Sequence, residues 1–401
     1  MNTEELYAIL REGRNHKINS PTLDELMITE AKIQAIDTWA KEKIYGTKAA
    51  YIPELASEKI DGEKTAIAIS DLHGNEIKVG DGHNVIGSVQ SVIKPFLYLY
   101  ALSKGVSADY ISGIEANALP FNADRISQTE LQLRNAEHPL NNAGAISSAG
   151  IIAQFGDFNN FLDFMKQLTR NSDLAVLEDV FQSEMASNGN NRAFAYKLLA
   201  CGRFKTNDEA DKALENYTRA CSIGVKTKDL LYASLVLAAG GIDITTNNRL
   251  VSENAVVRVM NAMNSFGMYE ETGKVALLVA GARANTCKSG VGGYIINVNP
   301  DVGAFVTYNP YLNTAGNSVY GLNAMIPLNE LLAAPGTARL SIEEMEETRQ
   351  KFEKADAPKT YAKIIDLIEA GFPESTYRTR AEMTQAIQKD HADKTTIINK
   401  L

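Results

Sequence analysis

Apolar positions along the chain fall into blocks of different period. After Ser20-Pro21, a helix-start signal with proline at or near the first helical position, Leu23, Leu26, Met27, Ile33, Ile36 and Ile44 recur at roughly helical spacing. Residues 1–45 therefore read as helix, ended by Gly46. Residues 51–55 (YIPEL) read as a short extended link, because Pro53 pushes Ile52 away from helical backbone. Residues 65–70 (TAIAIS) alternate, 72–75 supply a turn and 76–79 return, which predicts a β-hairpin. The stretch 90–96 (QSVIKPF) follows. An apolar run to Leu102 and a C-capping Gly105 predict a helix that starts here, with Pro95 tolerated in its first turn. Residues 150–240 read as helical, interrupted at Gly189, and helix resumes over 252–265. Residues 275–279, 294–298 and 305–308 read as three strands.

The strands thus come from two distant pieces, 65–80 and 275–308, with a helix-rich stretch between them. The pattern predicts an α+β fold: an antiparallel sheet of about five strands, closed around an inserted helical domain. Beyond Pro335-Gly336 the charge density rises. Ser341, Ile342, Glu343 and Glu344 fit a capping box, and three amphipathic helices are expected, carrying Ile342, Met345 and Phe352, then Tyr361, Ile364, Ile365 and Ile368, then Met383 and Ile387. Each must bury one face. The expected division is 1–45, an N-terminal helical segment; 46–334, the catalytic domain; and 335–401, a helical extension.

Composition removes several function classes. The 401 residues are 45% hydrophobic and 22% charged, an ordinary globular composition. A net charge of −9 argues against a nucleic-acid or anionic-membrane surface. No apolar run is long enough to span a bilayer, and the first twenty residues show no signal pattern. Cys201, Cys221 and Cys287 form no CxxC and no even framework, which suits a reducing compartment. A cytoplasmic protein is expected. The five histidines lack metal-ligand spacing, so neither metal nor cofactor is expected.

Candidate chemistry begins at Ser91 and Lys94. Three residues apart on a helix, they share one face, one turn apart. A neutral amine there can take the serine proton, and a helix N-terminus favours developing negative charge. Alone, S-x-x-K arises by chance about once in a chain this long, so by itself a capping serine beside a solvated lysine is the better reading. Much later comes Lys288-Ser289-Gly290. S-x-x-K on a helix with K-[ST]-G near a strand is the signature of the serine β-lactamase and penicillin-binding group, and it implies acyl transfer by a serine.

Within that group the sequence resembles the serine-dependent glutaminases, with the mammalian-type Q-S-x-x-K-P spelling. The landmarks are KAAYIPEL (48–55), VQSVIKPF (89–96), HPLNNAGAI (138–146), QSE and NNRA (182–193), YTRACSI (217–223), SFGMYEETG (265–273), KSGVGG (288–293) and GNSVYG (316–321). The resemblance implies Ser91 as nucleophile and Lys94 as base, with Tyr217 and Tyr51 lining the catalytic site. It implies Gln90, Asn142, Glu184, Asn191 and Tyr269 as substrate-binding positions. It further implies that the Val291 and Ser91 N–H groups form an oxyanion hole. Glu184 would neutralise the substrate ammonium, and Asn142 and Asn191 would bond its carboxylate. Burial and a neighbouring cation, Lys288 being the candidate, would bring Lys94 toward neutrality. The implied substrate is L-glutamine, and the implied assembly is a homo-oligomer, often a tetramer. The alternative is another amide hydrolase on this scaffold, for asparagine or a β-lactam. The sequence departs from the family pattern at Asn190 (usually Arg), at 117–122, in a longer loop over 280–287 and in the 335–401 tail.

Overall fold

The hairpin forms where the alternation places it. The structure, a computed structural model, describes residues 20–112, 136–278, 286–300, 302–332 and 341–356. Strand β1 (Ala66–Asp71) pairs with β2 (Glu76–Val79), Ile67 opposite Val79 and Ser70 opposite Glu76. On its other side β1 pairs with β7 (Gly303–Tyr308), which pairs with β6 (Tyr294–Asn299), which pairs with β5 (Thr286–Ser289). All pairings are antiparallel, and the order is β2-β1-β7-β6-β5. The two pieces of sequence meet at the β1–β7 seam. A small second sheet joins β3 (Gly87–Ser88) to β4 (Gly224–Val225), just ahead of Ser91.

Every residue of β1, β6 and β7 is buried, so the sheet is covered on both faces. Ala66, Ala68, Tyr294, Ile296, Val306 and Tyr308 face the main core, where the helix Thr227–Ala238 packs beneath them. The opposite face, with Ile67, Ile69, Ile295 and Phe305, lies under the helices Glu30–Lys41 and Val319–Leu331. Strands buried on both faces read as near-continuous apolar runs rather than as apolar alternating with polar, and residues 66–69 (AIAI) do so.

Buried Asp37 fastens the first helix to this face. It accepts from Thr65 Oγ1 at 3.0 Å, Tyr320 Oη at 2.7 Å and Lys41 Nζ at 2.7 Å. Asp37→Ala strands two buried hydroxyls and is expected to cost about 2–4 kcal/mol. The denaturation midpoint measures this; an unchanged midpoint would show that the tie contributes nothing.

Three sequence expectations need correction. Of the helix expected over 1–45, residues 1–19 lie outside the described residues, and the rest runs only Glu30–Lys41, capped by Thr29. Before it the chain turns: the Leu23 N–H is bonded to Asp71 Oδ2 at 2.9 Å, and Met27 takes a left-handed φ of 55° and stands 68% exposed. That bond to the end of β1 overrides the local helical pattern. The link at 51–55 is extended only to Ile52; Pro53–Ala56 is a short helix with Pro in its first turn. The strand expected over 275–279 is instead helical, Thr272–Leu278, and the edge strand is Thr286–Ser289. Short apolar runs do not distinguish strand from helix by period. The sheet still has five strands, and Lys288 and Ser289 lie on the edge strand itself.

Between the sheet pieces run the helices Lys94–Ser103, Asn142–Gln154, Phe158–Thr169, Glu178–Ser187, Gly189–Ala200, Asn207–Cys221, Thr227–Ala238 and Glu253–Phe266. The break at Gly189 falls as expected, with Asn188 joining two helices. At the tail, the capping box forms reciprocally. Ser341 N donates to Glu344 Oε2 at 2.7 Å, and Glu344 N donates to Ser341 Oγ at 3.2 Å. The helix Ile342–Asp356 follows, and the other two expected tail helices lie outside the described residues. The chain divides into two compact units, Met1–Thr348 and Arg349–Leu401. Among the described residues no helix is long and apolar enough to cross a membrane, and no group of His, Cys, Asp and Glu is placed to hold a metal.

Candidate active site

Ser91 sits in a single 3₁₀ turn, Gln90–Ile93, that runs straight into the helix Lys94–Ser103. The Lys94 N–H bonds the Ser91 carbonyl, so the two residues are a turn apart, as their spacing requires. The hydrophobic sequence buries the whole segment: Ser91 is 6% exposed and Lys94 is fully buried. Burial alone lowers the Lys94 amine to about 7. The neighbouring Lys288, buried on β5, falls well below its ordinary range through burial and then through the Lys94 charge. The expected pairing of two lysines is therefore present. Desolvation, rather than Lys288, dominates at Lys94.

Gln90 makes the turn with a φ of 49°, left-handed for a non-glycine residue. Its amide holds that conformation. Nε2 donates to Ser88 Oγ at 2.9 Å and to Glu184 Oε1 at 3.0 Å. The Tyr51 hydroxyl, arriving just before the Pro53–Ala56 helix, lies 2.9 Å from Gln90 Oε1 and 2.8 Å from Glu184 Oε1. Burial raises the Glu184 carboxyl, and the bonds from Tyr51 and Gln90 oppose that rise.

A second cluster forms around Asn142, the first residue of the helix Asn142–Gln154. Asn141 caps this helix by accepting from Gly144 N at 2.7 Å. A Cβ at Gly144 would lie 2.1 Å from the His138 carbonyl, so only glycine lets the backbone pass. Asn142 Oδ1 accepts from Lys94 Nζ at 2.6 Å and from Tyr217 Oη at 3.3 Å; its Nδ2 donates to Asn191 Oδ1 at 2.8 Å. Glu184 and Asn191 thus reach the centre from successive helices. Tyr217, buried in the last turn of Asn207–Cys221, places its ring 6.0 Å from Lys94 Nζ.

The third side of the centre is Tyr269, with a φ of 53°, in the 3₁₀ turn Tyr269–Glu271. Burial raises its phenol, and the neighbouring Ser91 side chain and Val291 N–H oppose that rise. Lys288 Nζ stands 4.4 Å from the centre of its ring. Val291 lies in the tight β5–β6 loop. A Cβ at Gly292 would sit 2.1 Å from the Ser88 carbonyl, which presses this loop against the Ser91 turn.

All ten residues singled out by sequence therefore converge. Sequence reading passed over Ser88, Cys221 and His138. Ser88 Oγ joins Gln90 to the Cys221 carbonyl at 2.8 Å. Burial pushes the Cys221 thiol up to about 12. His138 stacks on Phe266 at 4.1 Å and is held down to about 3 by burial and by the charges of Lys94 and Lys288. The spacing of Tyr217 to Cys221, one helical turn, was the available signal for the thiol. Of the departures, 117–122 and 279–285 lie outside the described residues, while Thr286 and Cys287 begin β5.

A five-stranded antiparallel sheet, a helical block set between its halves and a buried serine–lysine turn define the β-lactamase-like class of hydrolases. The glutaminase family profile matches residues 46–334. A glutaminase of Colwellia psychrerythraea is 36% identical over 297 residues, 72% of this chain and 91% of that protein. One of Clostridium tetani is 32% identical over 312 residues, 76% and 98% respectively. The solved structure of the probable glutaminase ybaS superposes with a TM-score of 0.66 at 30% identity, covering 75% of this chain and 97% of that one. The chain belongs to the glutaminase family.

Proposed function

We propose that this member of the glutaminase family hydrolyses L-glutamine to L-glutamate and ammonia through a γ-glutamyl ester on Ser91. The observation that carries this reading is the buried Ser91–Lys94 turn, whose amine burial alone brings to about 7. Ser91 Oγ attacks the side-chain amide carbon as its proton passes to Lys94 Nζ. The tetrahedral oxyanion is met by the N–H groups of Ser91 and Val291, an arrangement often worth more than any other single contribution. The C–N bond then breaks, the departing nitrogen takes the proton from Lys94, and ammonia leaves. Water next adds to the ester carbonyl, giving its proton to Lys94, and glutamate departs as Ser91 recovers its hydrogen.

Substrate orientation follows from charge. Glu184 is the one carboxylate among the converging residues, and it pairs with the α-ammonium; Asn142 and Asn191 bond the α-carboxylate. Glu184→Gln is expected to weaken glutamine binding by about 1.5–3 kcal/mol, the worth of a charged hydrogen bond. Steady-state kinetics measure it, and an unchanged KM would remove Glu184 from this role. Ammonia release from L-glutamine against L-asparagine tests the substrate; equal or greater release from asparagine overturns it. The β-lactam alternative is tested by the same protein with a chromogenic β-lactam.

A cytoplasmic location is part of the proposal, supported by three cysteines that form no disulfide with one another, two of them buried. So is a homo-oligomer, by resemblance a tetramer, for which light scattering is the measurement. Residues 335–401 are proposed as a helical extension outside the catalytic part, supported by the end of the family match at residue 334.

A further inference from the structure

Two residues beyond Tyr269 lies a carboxylate that the reaction does not use. Glu271 is 7% exposed, and its polar partners come from two segments. Oε2 accepts from Asn313 Nδ2 at 2.7 Å and from Asn317 Nδ2 at 2.8 Å. Oε1 accepts from Lys274 Nζ at 3.1 Å. The two asparagines also build the turn they occupy. Asn313 Oδ1 accepts from Asn317 N at 2.9 Å, and the Gly316 N–H bonds the Asn313 carbonyl at 2.9 Å. Asn317 Nδ2 reaches the Met268 carbonyl as well, at 3.3 Å, just ahead of Tyr269.

One carboxylate therefore staples the turn 313–317 to the turn that carries Tyr269. The staple faces the reaction centre. A Cβ on Gly316 would lie 3.4 Å from Val291 Cγ1 and 3.6 Å from the Tyr269 ring, so the stapled turn forms a wall against both. Tyr269 itself holds a left-handed backbone, with φ 53°. Such a conformation costs of the order of 1–3 kcal/mol and persists only where the surroundings impose it. Glu271 N donates to the Met268 carbonyl at 3.1 Å, closing the turn around that strained residue.

We infer that Glu271 is a positioning residue: by holding Asn313 and Asn317 it fixes the Tyr269 hydroxyl and the Val291 N–H in register with Ser91. It touches no reacting atom, and its effect passes through Tyr269 and Val291. This rests on the reading of Ser91 as the nucleophile.

The test combines turnover, covalent labelling and equilibrium binding. Glu271→Ala releases both asparagines. It is expected to lower kcat, and the saturating rate at which an electrophilic glutamine analogue labels Ser91, by about 100-fold, the cost of misplacing a reacting group by an ångström. Calorimetric affinity for L-glutamate, to which Tyr269 adds only part beside Glu184, Asn142 and Asn191, should fall far less than kcat does if orientation rather than binding is lost. Glu271→Gln keeps an oxygen for the asparagine amides and should restore most of both rates. The inference is overturned if folded Glu271→Ala turns over and labels like the parent, if Glu271→Gln loses as much as Glu271→Ala, or if glutamate affinity falls in step with kcat. Should Glu271→Ala not fold, Asn313→Ala removes one of the two amide donors; kcat equal to the parent in that folded variant overturns the inference too. A parent protein that hydrolyses no glutamine, or is labelled elsewhere than Ser91, would refute the functional reading itself, a result distinct from all of these.

Discussion

Ser91→Ala is expected to stop ammonia release from L-glutamine while leaving the protein folded, a loss of roughly ten-thousandfold or more, as for other enzymes whose nucleophile is removed. The side chain lost is small, and the turn around it is held by other groups: by Gln90 bonded to Ser88 and Glu184, and by the Lys94 N–H on the Ser91 carbonyl. Glutamate should still bind, because Glu184, Asn142 and Asn191 are untouched. In the parent protein an electrophilic glutamine analogue should be found on Ser91 by peptide mapping. A label on Ser88, Ser289 or Cys287 would place the nucleophile elsewhere. Ser88 is a stringent control, since it lies one bond from Gln90 in the same buried network.

The second large effect concerns Lys94. Its amine, lowered to about 7 by burial, must be neutral to accept the Ser91 proton. Activity should therefore rise with pH through about 7 and level above it. The ionisation of Glu184, raised by its own burial, acts in the same direction, because binding the substrate ammonium needs the carboxylate. Lys94→Ala should remove the rise together with about 10²–10⁴-fold of the rate, the usual worth of a positioned base. A parent profile flat between pH 6 and about 8 would dismiss Lys94 as the titrating base. The same shift has a stability sign. Between about 7 and the ordinary lysine value near 10.4, the unfolded chain binds this proton and the folded one does not. Stability from this group therefore rises with pH across that window and is least below 7.

Much of the arrangement was legible in the chain, for local reasons. The β1–β2 hairpin rests on alternation and a turn. The break at Gly189 rests on one residue's poor helix propensity, and the Ser341–Glu344 box on two side chains that find each other three residues apart. The helix starting at Lys94 is equally local. What escaped depends on contacts distant in sequence. Nothing near Ser20 announces that Asp71 will hold Leu23 and stop a helix from forming. The apolar run at 275–279 lacks any period that separates strand from helix. Thr286–Ser289 is polar, yet its four residues are buried by the β6 pairing and the helices around it. Among site residues, Ser91 and Lys94 carry their own spacing. Glu271 is one acid among several until the turn at 313–317 folds back onto it.

The contact between Tyr51, Gln90 and Glu184 carries a consequence for proton inventory. Three close approaches form a triangle, at 2.9, 2.8 and 3.0 Å. Tyr51 brings one proton, which satisfies one of its two contacts. The Gln90 amide satisfies one neighbour with nitrogen and presents oxygen to the other. Turning the amide over only moves the shortfall from the tyrosine side to the carboxylate side. With Glu184 ionised, every arrangement leaves two oxygens facing each other within hydrogen-bond distance without hydrogen between them. A proton on Glu184 would complete the ring; burial pushes toward that form, and the bonds from Tyr51 and Gln90 push against it. Any proton held on Glu184 must leave when a substrate ammonium pairs with it. Binding of L-glutamate is thus coupled to acid release. Its calorimetric heat should differ between buffers of unlike ionisation enthalpy, and its affinity should fall as the solution is acidified; equal heats in such buffers would mean that the carboxylate is already charged before the ammonium arrives.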